Sequence, residues 1–480
     1  MALRTHKLGL LAATLLLAGC GGEKSGPISI VAIGGTPRIV NPNREPVDPP
    51  SAVLMEATAQ GLVRFDSGGE IEPALAQRWI VSDDGRRYIF RLGKPPRSAA
   101  ERITAEQAAA RLRAAAAPQS RNPLRPILGS IEEIVAVNEV IEISLKSPRP
   151  NFLQLLAQPE MAILHGRSGT GPYRGEAQPD GSIRLVPRGD EEEDGTPPPR
   201  PLSLRGEAGG AAVARFAERQ ADLVLGGTLA DLPLARAAGL PAAELRFDPT
   251  PGLLGLAFTG SEGPLARAET RQALAMAIDR QALVTALNVP GLGPRESLLP
   301  PGVEGLAWVS APAWIRDALP ARRARAAALL RNPEGGRLTI RVALPDGPGY
   351  RLLFARLRLD WASVGVAAVR VAPGAPADLR LIDEVAPAAL ASWYLRHFTC
   401  EASPVCDPAA DEMMDAARIA PNAASRRGLL ANADRILAGL GAFIPLTTPV
   451  RWSLVAPRLT GFRPNPFGRH AIGELVREQP

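Results

Sequence analysis

PLARAETRQALAMAIDRQALVTALNVPGLGPRESLLPPG, residues 264–302, is the stretch whose reading decides the fold. Pro264 stands where a helix makes its first turn, and Leu274, Ala277 and Ile278 follow at helical spacing, which gives one apolar stripe. Asp279 is placed to cap a second short helix, and Pro290 to Pro301 break the pattern into a loop. Taken alone, this is a helix pair and an irregular segment, and packing is role enough for it.

In combination, R-Q-A-L-x-x-A-I-D-R followed by L-P-P-G resembles the opening of the second lobe in the large solute-binding receptors of ABC importers. These are the extracellular solute-binding proteins of family 5, which include the oligopeptide- and dipeptide-binding proteins. Further segments carry the resemblance in the same order: GLVRFD at 61–66, PALAQRW at 73–79, SDDGRRYIFRL at 82–92, ITAEQAAARLRAA at 103–115, GTGPY at 169–173 and FTCEASPVCDPAADEMMDAARI at 398–419. It covers most of residues 40–175 and 210–475, as a divergent and shortened member. The fold it implies is α/β and periplasmic-binding-protein-like (type II): two α/β lobes joined by hinge strands, with an extra subdomain in the first lobe and solute held between the lobes.

At the amino terminus, Arg4 and Lys7 precede an apolar run from Leu8 to Leu17, too short to span a bilayer as a helix, and Leu17-Ala18-Gly19-Cys20 follows at once. This is a signal peptide over 1–19. LAGC resembles a bacterial lipobox, which makes Cys20 the lipidated first residue and 20–26 a tether to a membrane outer face. The expected location is the periplasm or cell envelope.

Removing 1–19 leaves 461 of the 480 residues, enough for two or three domains with real cores. The formal charge of +6 becomes +4 when Arg4 and Lys7 leave, and no basic stripe interleaves with aromatics. Nucleic acid is therefore not an expected partner. With Cys20 assigned to lipid, Cys400 and Cys406 remain in an oxidising compartment, where a disulfide is expected. They lack a second ligand pair at zinc spacing.

Along the chain, Ile28–Gly34 reads as a buried strand, Met55–Gly61 as a helix, and Leu62 to Phe65 as a strand. PALAQRW resembles the family's Trp-bearing helix leading into a hairpin, whose turn is Asp84-Gly85. Thr104 and Gln107 suit a capping box. Ile131–Leu145 reads as two strands, Phe152–Ala157 as a helix, and Ala212–Gly227 as a helix delivering a strand. After Gly302, helices and strands alternate (helix 318–331, strand 338–344, helix 352–363, strand 366–371, strand 379–382, helix 424–440), which implies an α/β layer. The expected boundaries are 27–254 for the first lobe, with the extra subdomain at about 44–166, then 255–447 for the second lobe and 448–480 for a return to the first. Gly255–Gly260 and Phe443–Leu446 are the expected crossings.

The resemblance sets the ligand site. Peptide-binding relatives carry a Trp and an Asp in the loop after the strand at 379–382, and the Asp pairs with the peptide's α-ammonium. This chain has Ala386 and Pro387 at that place, with Asp383 and Glu384 the nearest acids. Asp383 either replaces the pocket carboxylate or serves as a cap or a solvated group. Trp393 and Tyr394 either line the pocket or pack in the core. GTGPY brings Thr170 and Tyr173 towards the cleft, although Gly169, Gly171 and Pro172 suffice for a turn alone.

No cofactor, metal or catalytic residue is expected. GTGPYR lacks a third Gly, no Gly-Lys-Ser/Thr occurs, His397 has no paired ligand, and the acidic run Asp190–Asp194 lacks the spaced oxygens of a calcium loop. The expected partners are a peptide or other small solute, the permease subunits of an ABC transporter, and the membrane through the lipid, with the protein a monomer. Two rivals come from other classes. One is an envelope hydrolase on Ser168 and His165, although G-R-S-G-T misses the nucleophile elbow by its final Gly; the other is a transport-inactive binding-fold lipoprotein acting as an interaction factor.

Overall fold

The structure is a computed structural model that describes residues 26–93, 102–149, 151–164, 169–188, 200–331 and 337–477. The signal peptide, Cys20, His165, Ser168, the acidic run and Lys94–Glu101 lie outside the described residues.

β1 (Ile28–Ile33), apolar and β-branched, is buried, and helix α1 (Pro49–Thr58) follows it. Asp48 caps α1, its carboxylate accepting from the Ser51 amide at 2.9 Å, with Pro49 and Pro50 in the first turn. The expected helix at Met55–Gly61 therefore begins six residues earlier and ends at Thr58. Next come β2 (Val63–Phe65), β3 (Ile71–Pro73), β4 (Ala76–Val81), β5 (Arg87–Leu92), α2 (Ala105–Ala116), α3 (Arg125–Leu128), β6 (Ile131–Val137), β7 (Val140–Leu145) and α4 (Phe152–Leu156).

The capping box of α2 is present, with Thr104 and Gln107 bonded reciprocally at 3.0 and 3.2 Å. Trp79 is on strand β4, not on a helix. The Asp84-Gly85 turn, with Gly85 at φ +65°, pairs Trp79 with Phe90, and Ile80 and Val81 beside it favour the strand. These strands form a four-stranded antiparallel sheet in the order β4-β5-β7-β6, with α2 packed on it.

The chain returns through β8 (Tyr173–Ala177), β9 (Ile183–Pro187), β10 (Leu202–Glu207), α5 (Gly209–Ala217), β11 (Leu223–Thr228), α6 (Leu232–Ala237) and β12 (Leu245–Asp248). The second half holds β13 (Gly252–Phe258), α7 (Ala268–Met276), α8 (Arg280–Leu287), α9 (Leu319–Leu329), β14 (Thr339–Ala343), α10 (Pro348–Ala362), β15 (Ala367–Val371), β16 (Leu379–Val385), α11 (Ala391–Arg396), α12 (Pro408–Arg418), α13 (Ala423–Leu440) and β17 (Phe443–Thr447). β18 (Arg451–Val455), β19 (Leu459–Thr460) and β20 (Val476–Arg477) close the chain.

The stretch at 264–302 supplies α7 and α8. Leu274, Ala277 and Ile278 are fully buried, and Asp279 caps α8 through the Ala282 amide at 2.9 Å. Pro264 opens a short 3₁₀ turn just before α7 instead of the helix itself.

Two mixed sheets organise the molecule. One has the order β12-β18-β11-β1-β10-β9-β8, the other β15-β14-β16-β13-β17. The chain passes between them twice, from β12 to β13 through Pro249-Thr250-Pro251 and from β17 to β18 through Thr448-Pro449-Val450. The Thr250 hydroxyl donates to the Pro449 carbonyl at 3.0 Å and ties the two crossings together. Cys400 and Cys406 are bridged, with Cα atoms 5.0 Å apart.

Candidate functional site

Asp383 and Glu384 sit at the end of β16, and because side chains alternate along a strand they face opposite ways. Asp383 turns inward, 8% exposed. Its Oδ1 accepts from Arg451 Nη1 at 2.8 Å, its Oδ2 from the Tyr350 hydroxyl at 2.7 Å, and its carbonyl from Arg451 Nη2 at 3.0 Å. Arg451 opens β18 in the other sheet and Tyr350 lies on α10, so this carboxylate already holds a cation supplied by the protein and joins the two halves beside the crossings. Burial, reinforced by the Asp383 charge, pushes the Tyr350 phenol far above its usual range.

Glu384 is 57% exposed and lies 3.2 Å from His397 Nε2, and this hydrogen bond holds its carboxyl below the ordinary value. His397 Nδ1 lies 2.9 Å from the Trp393 carbonyl. Trp393 packs edge-on to Tyr394 and His397, at 4.8 and 4.7 Å between centroids, and touches the cores of both the second half and the four-stranded subdomain. Tyr394 is buried at 1% exposure with the Arg295 guanidinium 5.4 Å from its ring, and burial pushes its phenol up to about 12.

GTGPY packs against the end of α1. A Cβ on Gly169 would come within 2.4 Å of Ala59 Cα, one on Gly171 within 2.4 Å of the Thr58 carbonyl carbon, and the Gly171 amide donates to the Thr58 carbonyl at 3.0 Å. Between them, the Thr170 hydroxyl is sealed from solvent with no hydrogen-bond partner among the described residues, and the residue borders a cavity of about 260 Å³ shared with Arg102, Asn138 and Arg188. Tyr173 is buried among Ile28, Leu54 and Leu185, and burial raises its phenol. It borders a second cavity of about 250 Å³ with Glu56, Gln158, Arg469 and Glu474. Glu56 Oε1 accepts no hydrogen bond from the described residues and lies 3.8 Å from Arg469 Nε, and burial drives its pKa to about 7 against the opposing pull of that arginine.

The predicted residues thus fall into two groups, Asp383, Glu384, Trp393 and Tyr394 in the second half and Thr170 and Tyr173 in the first. The loop after β16 joins the halves. Ala386, which stands where the resemblance places a carboxylate, is fully buried and its amide donates to the Pro251 carbonyl at 2.9 Å. Gln158 donates to the Pro387 carbonyl at 2.8 Å, Asn151 to Ala389 at 2.9 Å, and Ser147 to Arg418 at 2.6 Å. Ala388 and Leu390 complete the subdomain's core. Sequence reasoning missed Arg451 and these three polar residues, since each finds its partner across the two halves, and Tyr350, whose partner lies 33 residues away on another element; no local pattern marks any of them. No group of three or more His, Cys, Asp or Glu able to hold a metal occurs among the described residues.

Residues 70–394 match the family model described as bacterial extracellular solute-binding proteins, family 5 Middle. The dipeptide-binding protein of Pseudomonas aeruginosa is 25% identical over 484 residues, covering 86% of this chain and 87% of that one. Among solved structures, the murein tripeptide binding protein MppA of Escherichia coli is similar at a TM-score of 0.79 and 18% identity, covering 94% of this chain and 99% of that one. Against the unliganded open form of MppA the TM-score is 0.67, at the same identity, over 94% and 98% of the two chains.

Proposed function

The chain belongs to the bacterial extracellular solute-binding proteins of family 5, and from that premise we propose that it is the solute receptor of an ABC importer, carrying small peptides between its two halves to a membrane permease. Lipid on Cys20 holds it at the outer face of a membrane, in the periplasm or cell envelope, as a monomer. The solute leaves chemically unchanged.

One observation carries this reading: the chain passes between the two sheets through a pair of short Pro-containing crossings, bonded to each other at Thr250 and Pro449 and flanked by contacts between the halves. Such a connection lets the halves separate and shut as bodies, and a solute touching both favours the shut form by its differential affinity. The printed names of the relatives, dipeptide-binding and murein tripeptide binding, support peptides as the solute. Ligand contacts are assigned to the two groups around Glu384 and Trp393 and around Thr170 and Tyr173. Asp383 and Tyr394 support the wall behind them.

The test is a thermal melt of the mature protein against a pool of di- and tripeptides, with mass spectrometry of what is retained. Retention of intact peptides and a melting temperature raised by several degrees are expected. No retained solute and no shift would overturn the reading.

A further inference from the structure

The seam between the four-stranded subdomain and the second half holds more positive charge than it neutralises. Arg149 lies beyond β7, between Ser147 and Asn151, two of the residues whose side chains bond across the seam. It is 2% exposed, its Nε is sealed from solvent, and its guanidinium makes no hydrogen bond or ion pair with any described residue. Arg396, on α11 of the opposite half, also has a sealed and unpartnered Nε and pairs with no described carboxylate.

The surrounding carboxylates offset this only in part: Glu304 acts favourably on Arg149, and Asp415 and Glu401 on Arg396, without an ion pair to either. Arg418 and Arg426 act electrostatically on both. Arg418 is paired with Asp415 at the surface. Arg426 is paired with Glu304, both side chains 5% exposed, and the other oxygen of Glu304 accepts the Ala391 amide at 3.0 Å. Glu304, the carboxylate that acts on Arg149, is therefore committed twice over. Burial, joined by repulsion from Arg426, brings Arg149 down to about 9, and burial with Arg418 brings Arg396 to about 10, so both remain cations at neutral pH. A buried guanidinium without an anion is among the costlier arrangements in a folded protein, and unpartnered buried donors are rare enough to point to a missing ligand.

We propose that the seam is a carboxylate-binding site in which Arg149 and Arg396 grip one anion from opposite halves, and that the solute carried is a peptide with an acidic side chain reaching this seam. The anion-binding part stands on the seam alone; the acidic-peptide part rests on the receptor reading above. One anion held from both sides also favours closure, because only the shut form offers both guanidinium groups.

Calorimetric titration of the mature protein with Ala-Glu-Ala and Ala-Gln-Ala reads the preference. The Glu peptide is expected to bind at least tenfold tighter, and Arg149→Met and Arg396→Gln each to collapse that ratio to within threefold. In parallel, melting temperatures are compared in sodium acetate and sodium fluoride at fixed ionic strength. Acetate is expected to stabilise the wild type over fluoride, and Arg149→Met to melt higher than wild type in fluoride while gaining nothing from acetate. Binding of both peptides with equal affinity overturns the acidic-solute claim and leaves the receptor reading intact. Binding of neither counts against the receptor reading, and acetate then decides the anion site by itself. An acetate shift equal in wild type and Arg149→Met overturns the site, and an acetate shift confined to the wild type without a peptide preference assigns it to free carboxylates.

Discussion

Asp383 is where the residue scale separates two roles that one carboxylate cannot fill together. Its oxygens are taken by Arg451 and Tyr350, so Asp383→Asn leaves the mostly buried Arg451 facing a neutral amide. The expected cost is about 2 kcal/mol of stability, read from urea midpoints, below the range for fully buried pairs because Arg451 keeps some solvent contact. A ligand-gripping carboxylate would instead give lost binding with the urea midpoint unmoved. Glu56 makes a second prediction at this scale. Its folded pKa of about 7 lies above the unfolded value near 4.5, so between those values the folded chain binds the extra proton and stability falls as pH rises. The stabilisation of the protonated form is whole below about pH 4.5 and gone above about 7. Glu56→Gln should therefore match wild type at pH 4.5 and melt higher at pH 8, by about 1–2 kcal/mol after allowing for its partial exposure. Parallel melting curves across that window would contradict the assignment.

At the scale of elements, the end of α1 and the GTGPY turn are fitted backbone to backbone. Gly171→Ala drives a methyl into the Thr58 carbonyl carbon, which no side-chain rotation relieves, and should cost about 2–3 kcal/mol by chemical denaturation. A cost under about 0.5 kcal/mol would show that the turn adapts. The same contrast explains what the sequence let one read. β1 and β13 are buried on both faces and appear as apolar runs, and the Thr104 and Asp279 caps announce their helices by residue type. β8 is an edge strand with only Tyr173 buried, so its exposed residues carry no apolar alternation. PALAQRW is nearly as compatible with a helix, and only its pairing with Phe90, Arg91 and Leu92 decides for a strand. Trp393 and Tyr394 are adjacent in sequence and pack against each other. The Asp383 partner lies 68 residues away in another sheet and the Ser147 partner 271 away, distances over which only the assembled fold supplies the pairing.

For the whole molecule, the joints are fewer than the contacts. Two crossings carry the chain between the sheets, while the bonds from Ser147, Asn151 and Gln158 to the second half are each single hydrogen bonds, worth about 1 kcal/mol net. A solute that touches both halves adds its own contacts to these and favours the shut form. Small-angle scattering of the mature protein with and without a saturating pool of di- and tripeptides tests this most directly. The account predicts a smaller radius of gyration with the pool present and recovery of the larger one after the peptides are dialysed away from denatured and refolded protein. Superimposable curves in the two conditions, with no peptide recovered from the protein, would contradict it.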